Sequence, residues 1–217
     1  MDSILTPLFL TFKIATIATF IAFVFGVLFS WWFAFNKNKL TNFLSILVTI
    51  PLVIPPTVLG YYLLLMLGRG SFIGQWYERI FGQPIVFTWK AAVIAAAIAA
   101  LPLLIRPIQA SFESISKDTI GAAELDGAGK LQLLWYVVMP LAYKGVLAGL
   151  VLGFARAMGE FGATLMVAGN IPGKTQTLSI AIYDAVQANR MTDAHMMVII
   201  LSVSTILFLY LINRWFK

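Results

Sequence analysis

Long runs of apolar residues restrict what this sequence can fold into more than any other feature. Five such runs occur, at residues 14–35, 43–68, 91–105, 145–169 and 196–213. An α-helix needs about 20 mainly apolar residues to cross the hydrocarbon core of a membrane. The sequence therefore predicts about five transmembrane helices. Lys90 and Arg106 flank the shortest run and can extend it to the membrane surface.

Composition agrees with a membrane protein and excludes an ordinary soluble enzyme. Hydrophobic residues make up 60% of the chain and charged residues 11%, whereas soluble domains average about 45–50% and about 25%. Every backbone amide in lipid must be hydrogen-bonded within the protein, and the sequence lacks the alternating segments of a membrane β-barrel. With no internal repeat or linker, residues 1–217 are expected to form a single all-α integral membrane domain in contact with lipid.

Charge and residue content exclude several kinds of site. The net charge is +6, but no run of five or more Lys and Arg occurs, so we expect these residues to meet lipid headgroups and no nucleic acid. The chain has no cysteine and one histidine, His195, which leaves no ligand set for a metal. The pattern G-x-x-x-x-G-K-[ST] is absent, so any ATP hydrolysis would have to come from another chain.

The shortest connection predicts the orientation in the membrane. Lys37 and Lys39 lie between the first two runs, whereas the N-terminus carries only Asp2. Short cytoplasmic loops of membrane proteins are enriched in Lys and Arg. We therefore expect the N-terminus outside and the C-terminus in the cytoplasm.

The connection at about residues 108–140 is long and polar in its first half. Residues 116–129 read S-K-D-T-I-G-A-A-E-L-D-G-A-G. Ser116 or Asp118 can cap a short helix there, and the last two glycines are expected to end it. A second run then leads to Pro140. A helix with so little side-chain bulk would let another protein approach closely, although the pattern also fits an ordinary surface turn.

This segment resembles the EAA loop of ABC importer permeases. That family places E-A-A, three residues and G about nine residues before I-x-L-P. Here Gly121 stands where the family usually has Glu, whereas the two alanines, the following glycine and the proline match. The resemblance implies that this loop couples the permease to an ATPase. The residues implied in that contact are Gly121, Ala122, Ala123, Glu124, Leu125, Asp126, Gly127 and Gly129.

Two further stretches resemble the molybdate-type members of that family. Residues 49–61 are similar to their second span, and residues 153–164 with 170–175 are similar to their fourth span and outer loop. The resemblance implies a type I ABC importer permease, with the architecture of methionine and maltose importers, that moves molybdate by alternating access. Sulfate and tungstate are the alternative substrates.

The same resemblance implies a set of partners. These are a second copy of the chain in a homodimer, two separate ATPase subunits that bind ATP and Mg²⁺, and an extracytoplasmic substrate-binding protein. The complex would lie in the cytoplasmic (inner) membrane. No cofactor is expected in this chain itself.

Candidate residues for the translocation path lie in the fourth run. Arg156 and Glu160 are ionisable residues inside a membrane span, and their i,i+4 spacing places them on one helical face. They either form a structural ion pair or line the path, where Thr164 could donate its hydroxyl. Gly159 and Gly162 permit close helix packing.

Other candidates lie in the second run and the outer loop. Pro51, Pro55 and Pro56 lack backbone donors and predict a kink, which is either a moving element of the path or static geometry. Lys174 could meet the acidic surface of a binding protein or could simply be solvated.

Two other classes of function fit the membrane character of the chain. A stand-alone anion channel or secondary transporter would need no ATPase, but the sequence lacks an inverted repeat and contains the alanine-rich loop. A membrane enzyme would need clustered His, Asp, Glu or Ser residues, and the single histidine and scattered carboxylates do not favour one.

Overall fold

The computed structural model describes residues 2–215, and all regular secondary structure in that range is helical. In chain order the helices are α1 (Asp2–Phe35), α2 (Lys39–Val53), α3 (Pro56–Leu67), α4 (Phe72–Phe81), α5 (Trp89–Glu113), α6 (Lys117–Leu125), α7 (Lys130–Leu141), α8 (Tyr143–Met158), α9 (Gly162–Ala168), α10 (Leu178–Gln187) and α11 (Met191–Trp215). Within α7, Leu133–Val138 is π-helical.

The number of membrane spans agrees with the prediction. Three helices are long and apolar enough to cross a membrane alone: Ile4–Phe35 within α1, all of α5, and Met191–Leu211 within α11. Two bent pairs, α2 with α3 and α7 with α8, raise the number to five if each pair counts as one span. The all-α membrane fold is confirmed.

The predicted kink in the second run is a sharp break between α2 and α3, which are bent by 116°. Ile54 and Pro55 both have extended backbones, as residues before a proline usually do. Pro56 is the first residue of α3, where its missing N–H removes no helical hydrogen bond. Pro51 lies inside α2 without ending it, so the break follows from the Pro55–Pro56 pair.

The helix α5 is the centre of the molecule and packs between α1 and α8. Six of its first twelve residues are fully buried alanines, at positions 91, 92, 95, 96, 99 and 100. Small side chains let helices approach closely in lipid, where packing rather than the hydrophobic effect holds them together. A buried hydrogen bond from the Ser30 hydroxyl to the Ile105 carbonyl, 3.1 Å long, also joins α1 to α5.

The third span is longer than the predicted residues 91–105. Helix α5 continues through Arg106 and Pro107 to Glu113, so the polar connection begins near residue 114 and not at 108. The guanidinium of Arg106 donates to the side chains of Ser45 and Thr49 on α2. Because α2 supplies these partners, the charge does not end the helix.

The fourth run, predicted as one span, is divided. Helix α8 ends at Met158, residues 159–161 are not helical, and α9 begins at Gly162. A helix at 72–81, in the connection between the second and third runs, was not predicted. Helix α10 in the last connection is 10 residues long and too short to span a membrane.

Candidate functional site

The alanine-rich loop forms the short helix α6 at one end of the helix bundle. Of the two predicted caps, Ser116 is the one used: its Oγ accepts a 3.2 Å hydrogen bond from the Thr119 amide. The helix ends at Leu125 with Asp126 as its C-cap, and Gly127 has a φ of +89° that a residue with a side chain rarely adopts. Gly129 then donates its N–H to Gln132 Oε1 at 2.9 Å and caps α7.

The helix α6 presents one face to the protein and the other to its surroundings. Ile120 and Ala123 pack against the core, and Gly121 is half-buried. The exposed residues of this segment are Ala122, Glu124, Leu125, Asp126, Gly127 and Gly129. The Leu125 side chain is 90% exposed. Single exposed apolar residues are ordinary on protein surfaces, so Leu125 is open to a protein partner without by itself indicating one.

The ends of α1 and α5 position this helix. A cavity of about 510 Å³ separates α6 from them and is lined on one side by Phe35 and Phe112 and on the other by Gly121 and Glu124. Only residues 114–116 join α5 to α6. A displacement of α6 would therefore directly displace the end of the central helix, α5.

The chain after α6 leads directly to the candidate ion pair. Helix α7 is followed by a bend of 82° into α8, and α8 lies against α5 along Gly145, Gly149 and Gly153. A Cβ on Gly149 would lie 2.7 Å from the Leu104 carbonyl oxygen, so the two helices are in backbone contact. Because α8 carries Arg156 near its end, α6, α7 and the ion pair belong to one continuous segment.

Arg156 and Glu160 form the ion pair that their spacing predicts. The distance between Arg156 Nη1 and Glu160 Oε2 is 2.6 Å, and the side chains are 25% and 1% exposed. The other carboxylate oxygen, Oε1, accepts a 2.8 Å hydrogen bond from the Ala163 amide in the first turn of α9. Glu160 therefore links Arg156 on α8 to the start of α9, and Arg156 is the member of the pair that reaches the surface.

The two helix breaks meet. A Cβ on Gly162 would lie 2.9 Å from Pro56 Cβ, and one on Gly60 would lie 2.9 Å from Ala163 Cα. The predicted close approach is thus present at Gly162, whereas a Cβ on Gly159 would meet only ordinary contacts. The structure brings the start of α3 next to the start of α9.

The remaining candidate residues for the translocation path and for binding-protein docking differ in their exposure and in their position in the fold. Pro55 and Pro56 are exposed at the break, whereas Thr164 is buried inside α9 and does not face an open path in this conformation. Lys174 is exposed and lies at the opposite end of the molecule from α6. It lines a cavity with Thr6 of α1. From Thr6 to Phe35 the helix spans about 44 Å at about 1.5 Å per residue.

The outer loop around Lys174 is held by hydrogen bonds that explain its sequence. Asn170 donates to Asp184 at 3.0 Å and accepts from Gln176 at 2.8 Å. The Thr175 hydroxyl donates to the Gly169 carbonyl at 3.1 Å and accepts from the Ile171 amide at 3.1 Å. These bonds fix residues 169–176 in a compact turn.

Over residues 26–217, the chain matches the family described as binding-protein-dependent transport system inner membrane component. The chain belongs to this family. The permease is 43% identical to the putative molybdenum transport system permease protein YvgM of Bacillus subtilis, over 96% of this chain and 92% of the relative.

Other relatives carry similar names. The permease is 36% identical to the molybdenum transport system permease protein ModB of Azotobacter vinelandii, over 96% of this chain and 93% of the relative. It is 34% identical to ModB of Escherichia coli K12, over 95% and 90%.

Solved structures show the same fold. A chain of the MetNI methionine ABC transporter, in inward-facing conformations, has a TM-score of 0.73 and 18% identity, covering 98% of this chain and 94% of that one. A chain of an amino acid ABC transporter has a TM-score of 0.67 and 20% identity, covering 98% and 92%. The permease therefore has the fold of ABC importer permeases and is a multi-pass membrane protein.

Sequence reasoning missed one polar cluster of the permease. Arg106 was expected only to extend towards the membrane surface, but it bonds the Ser45 carbonyl at 3.1 Å as well as the Ser45 and Thr49 hydroxyls. The i,i+4 spacing of Ser45 and Thr49 on an otherwise apolar helix is the signal that could have revealed a partner for it.

Proposed function

We propose that this permease carries molybdate across the cytoplasmic membrane by alternating access, driven by a separate ATPase subunit. The names of relatives that are 34–43% identical over 95–96% of the chain support molybdate as the substrate. Sulfate and tungstate are also tetrahedral dianions and remain the alternative substrates.

The exposed helix α6 is the observation that carries the coupling role. Ala122, Leu125 and Asp126 face away from the protein, at the end of the bundle where α1 and α5 finish. Small residues allow an ATPase backbone to approach, and Leu125 can be buried in the contact. In this proposal the ATPase subunits hold ATP and Mg²⁺, and the permease has no nucleotide or cofactor of its own.

The continuous segment from α6 to α8 supports a mechanism for coupling. When ATP binding moves the ATPase subunits, α6 moves with them, and α7 transmits the displacement to α8. Because α8 carries Arg156 and is joined by Glu160 to α9, the two helix breaks would shift together. ATP changes the balance of inward-open and outward-open states only by binding one of them more tightly.

The Arg156–Glu160 pair suits brief contact with a dianion. Arg156 is partly exposed and offers a positive charge, while Glu160 neutralises part of it. A transport site must bind well enough to admit the ion and weakly enough to release it. A lone arginine would hold a dianion more strongly than the pair does.

Two further partners complete the proposal. A second copy of the permease would enclose the path, because the break at Pro55–Pro56 and the partly exposed Arg156 lie open on a single chain. A binding protein would dock at the end that carries Lys174.

The N-terminus would lie outside and the C-terminus in the cytoplasm, which places α6 on the side where ATP is available.

The coupling role is tested with the exposed residue Ala122. In proteoliposomes containing the permease, its ATPase and its binding protein, we expect Ala122→Arg to reduce uptake of labelled molybdate at least tenfold and to abolish co-purification of the ATPase. The control Ala188→Arg changes an exposed alanine at the opposite end and should leave ATPase co-purification intact. Normal uptake by Ala122→Arg would contradict the coupling role. Uptake by the permease without any ATPase would favour a stand-alone transporter.

The role of Arg156 has its own test. We expect Arg156→Gln to lower molybdate uptake about tenfold per assembled complex, and Arg156→Lys to retain more because it keeps the charge. Arg79→Gln removes an exposed arginine elsewhere and serves as the control. Unchanged uptake by Arg156→Gln would remove this residue from the path. Competition by unlabelled sulfate and tungstate ranks the alternative substrates in the same assay.

A further inference from the structure

Two lysines share a cavity at the end of the molecule opposite α6. The cavity measures about 500 Å³, and Lys13 of α1 and Lys90 of α5 line it together with Trp89 and Tyr77. Lys174 also borders it, and among the residues whose side chains the structure describes no Asp or Glu does. The cavity is therefore basic and partly aromatic.

Aromatic rings hold both lysines, and carboxylates do not. Lys13 Nζ lies 4.0 Å from the centre of the Trp89 ring. Lys90 Nζ donates a 3.0 Å hydrogen bond to Tyr77 Oη and lies 5.2 Å from the centre of the Phe81 ring. In the part of the chain that the structure describes, neither lysine forms an ion pair. Their charges remain available to an anion.

The cavity lies at the boundary of two uncharged runs, where lipid headgroups are expected. Lys13 immediately precedes the uncharged run 14–35, and Lys90 immediately precedes the uncharged run 91–105. The Lys13–Trp89 contact shows that these two boundaries are at the same height. Lysine and tryptophan at such a boundary are typical of the interface between hydrocarbon and water.

A second, apolar groove also lies on α1, lined from Phe12 at this level to Phe23 deeper in the uncharged run. It measures about 440 Å³ and is lined by Thr16 and Phe20 of α1, by Phe154 of α8 and by Phe208 of α11, among others. Lys13, Thr16 and Phe20 follow one another at spacings of three and four, so they share one helical face. The groove extends to Phe23, about 15 Å along the axis from Lys13 at about 1.5 Å per residue.

We propose that this cavity and groove form a binding site for one anionic phospholipid. The phosphate of the headgroup would contact Lys13 and Lys90, and an acyl chain would lie in the groove beside Phe20 and Phe154. Charge complementarity, and the position of an apolar groove beside the basic cavity on α1, favour a lipid over a free oxyanion, whose binding would not involve the groove. An acidic protein segment would likewise leave the groove uncovered. The site does not depend on which substrate the permease carries.

Native mass spectrometry of the purified full-length permease tests the proposal, with phosphatidylglycerol and phosphatidylcholine of identical acyl chains as probes. We expect phosphatidylglycerol to bind more tightly. Lys13→Gln should weaken it about fivefold and Lys13→Gln/Lys90→Gln about twenty-fivefold, because a lysine near an anionic membrane surface contributes about 1 kcal/mol. The control Lys37→Gln/Lys39→Gln removes two exposed lysines from the other end and should leave binding unchanged.

Two more variants separate the headgroup contact from the groove and from misfolding. Lys13→Arg keeps the charge and should keep the binding, which would show that loss in Lys13→Gln is not a folding defect. Thr16→Trp fills the groove and should weaken long-chain phosphatidylglycerol while sparing a short-chain form.

Three outcomes would overturn the proposal. The first is equal binding of phosphatidylglycerol to the double lysine variant and to the unchanged permease. The second is displacement of the lipid by millimolar molybdate or sulfate, which would make the cavity a site for free oxyanions. The third is binding that Thr16→Trp leaves intact while it disrupts the dimer, which would mean that a second copy covers the groove.

Discussion

Glu160 has two structural tasks at the residue scale. It neutralises Arg156 at 2.6 Å and caps α9 through the Ala163 amide at 2.8 Å. A carboxylate that is 1% exposed is stable because the Arg156 charge lies beside Oε2 and Oε1 accepts the Ala163 hydrogen bond, although Oε2 itself accepts no hydrogen bond. The pair therefore stabilises the break between α8 and α9 whatever its role in transport.

Because Glu160 both pairs with Arg156 and caps α9, we expect variants at these positions to differ in stability in a defined order. We expect Glu160→Gln, which keeps a cap acceptor but leaves the charge of Arg156 unpaired, to destabilise the permease by about 3 kcal/mol. Glu160→Ala also loses the cap and should cost about 1 kcal/mol more. The double change Arg156→Gln/Glu160→Gln should be more stable than Glu160→Gln alone. Thermal unfolding in detergent measures all three, with the exposed Glu124→Gln as control. A double variant no more stable than the single one would contradict the pairing argument.

The candidate site was predictable where it depends on local sequence. The i,i+4 spacing was enough to place Arg156 and Glu160 on one face, and the two candidate caps, Ser116 and Asp118, were enough to place the start of α6 within two residues. The burial of Thr164 and the partners of Arg106 depend on which helices become neighbours. Spacing along one helix can show that Ser45 and Thr49 share a face, but it does not show which helix lies against that face, so those placements were missed.

At the scale of elements, we expect the substitution of glycine by alanine to have opposite effects on stability in two helices, because the surroundings of the two glycines differ. A Cβ on Gly149 would lie 2.7 Å from the Leu104 backbone oxygen, whereas a Cβ on Gly121 meets nothing within 4 Å. Gly149→Ala must push α8 away from α5, so we expect a loss of about 1–3 kcal/mol. Gly121→Ala only improves helix propensity in α6 and should add up to about 1 kcal/mol.

Thermal unfolding of the two alanine variants checks this prediction. Effects of the same sign would contradict it. Because Gly121 stands where importer permeases of this family usually have Glu, the absence of any packing partner there also predicts that Gly121→Glu folds and inserts normally, as measured by its yield in membranes.

Some helix boundaries could be predicted from the sequence and others could not. The Pro55–Pro56 break was predictable because proline lacks a donor and restricts the residue before it. The break at residues 159–161 was hidden in a largely apolar run, and the local signal for it, Glu160 three residues before Ala163, was interpreted only as a partner for Arg156. The third span passed its predicted end because α2 supplies hydrogen-bond partners for Arg106.

At the scale of the whole molecule, the two ends have different surfaces. The end with α6 is exposed and rich in small residues, whereas the opposite end carries Lys13, Lys90 and Lys174 around one cavity. The α1 helix joins the two ends and separates them by more than the thickness of the hydrocarbon core, about 30 Å. A conformational change caused by a contact at one end therefore reaches the other end only through the helices.

Orientation decides which end meets the ATPase, and the lack of cysteine makes it directly measurable. Lys37→Cys and Lys174→Cys each introduce a single thiol at an exposed position, one at each end. With the N-terminus outside, a membrane-impermeant maleimide should label position 174 in intact spheroplasts and position 37 only after permeabilisation. The unchanged permease should not be labelled at all. The reverse pattern would place α6 outside, away from ATP, and the coupling proposed for Ala122 and Leu125 would then be impossible.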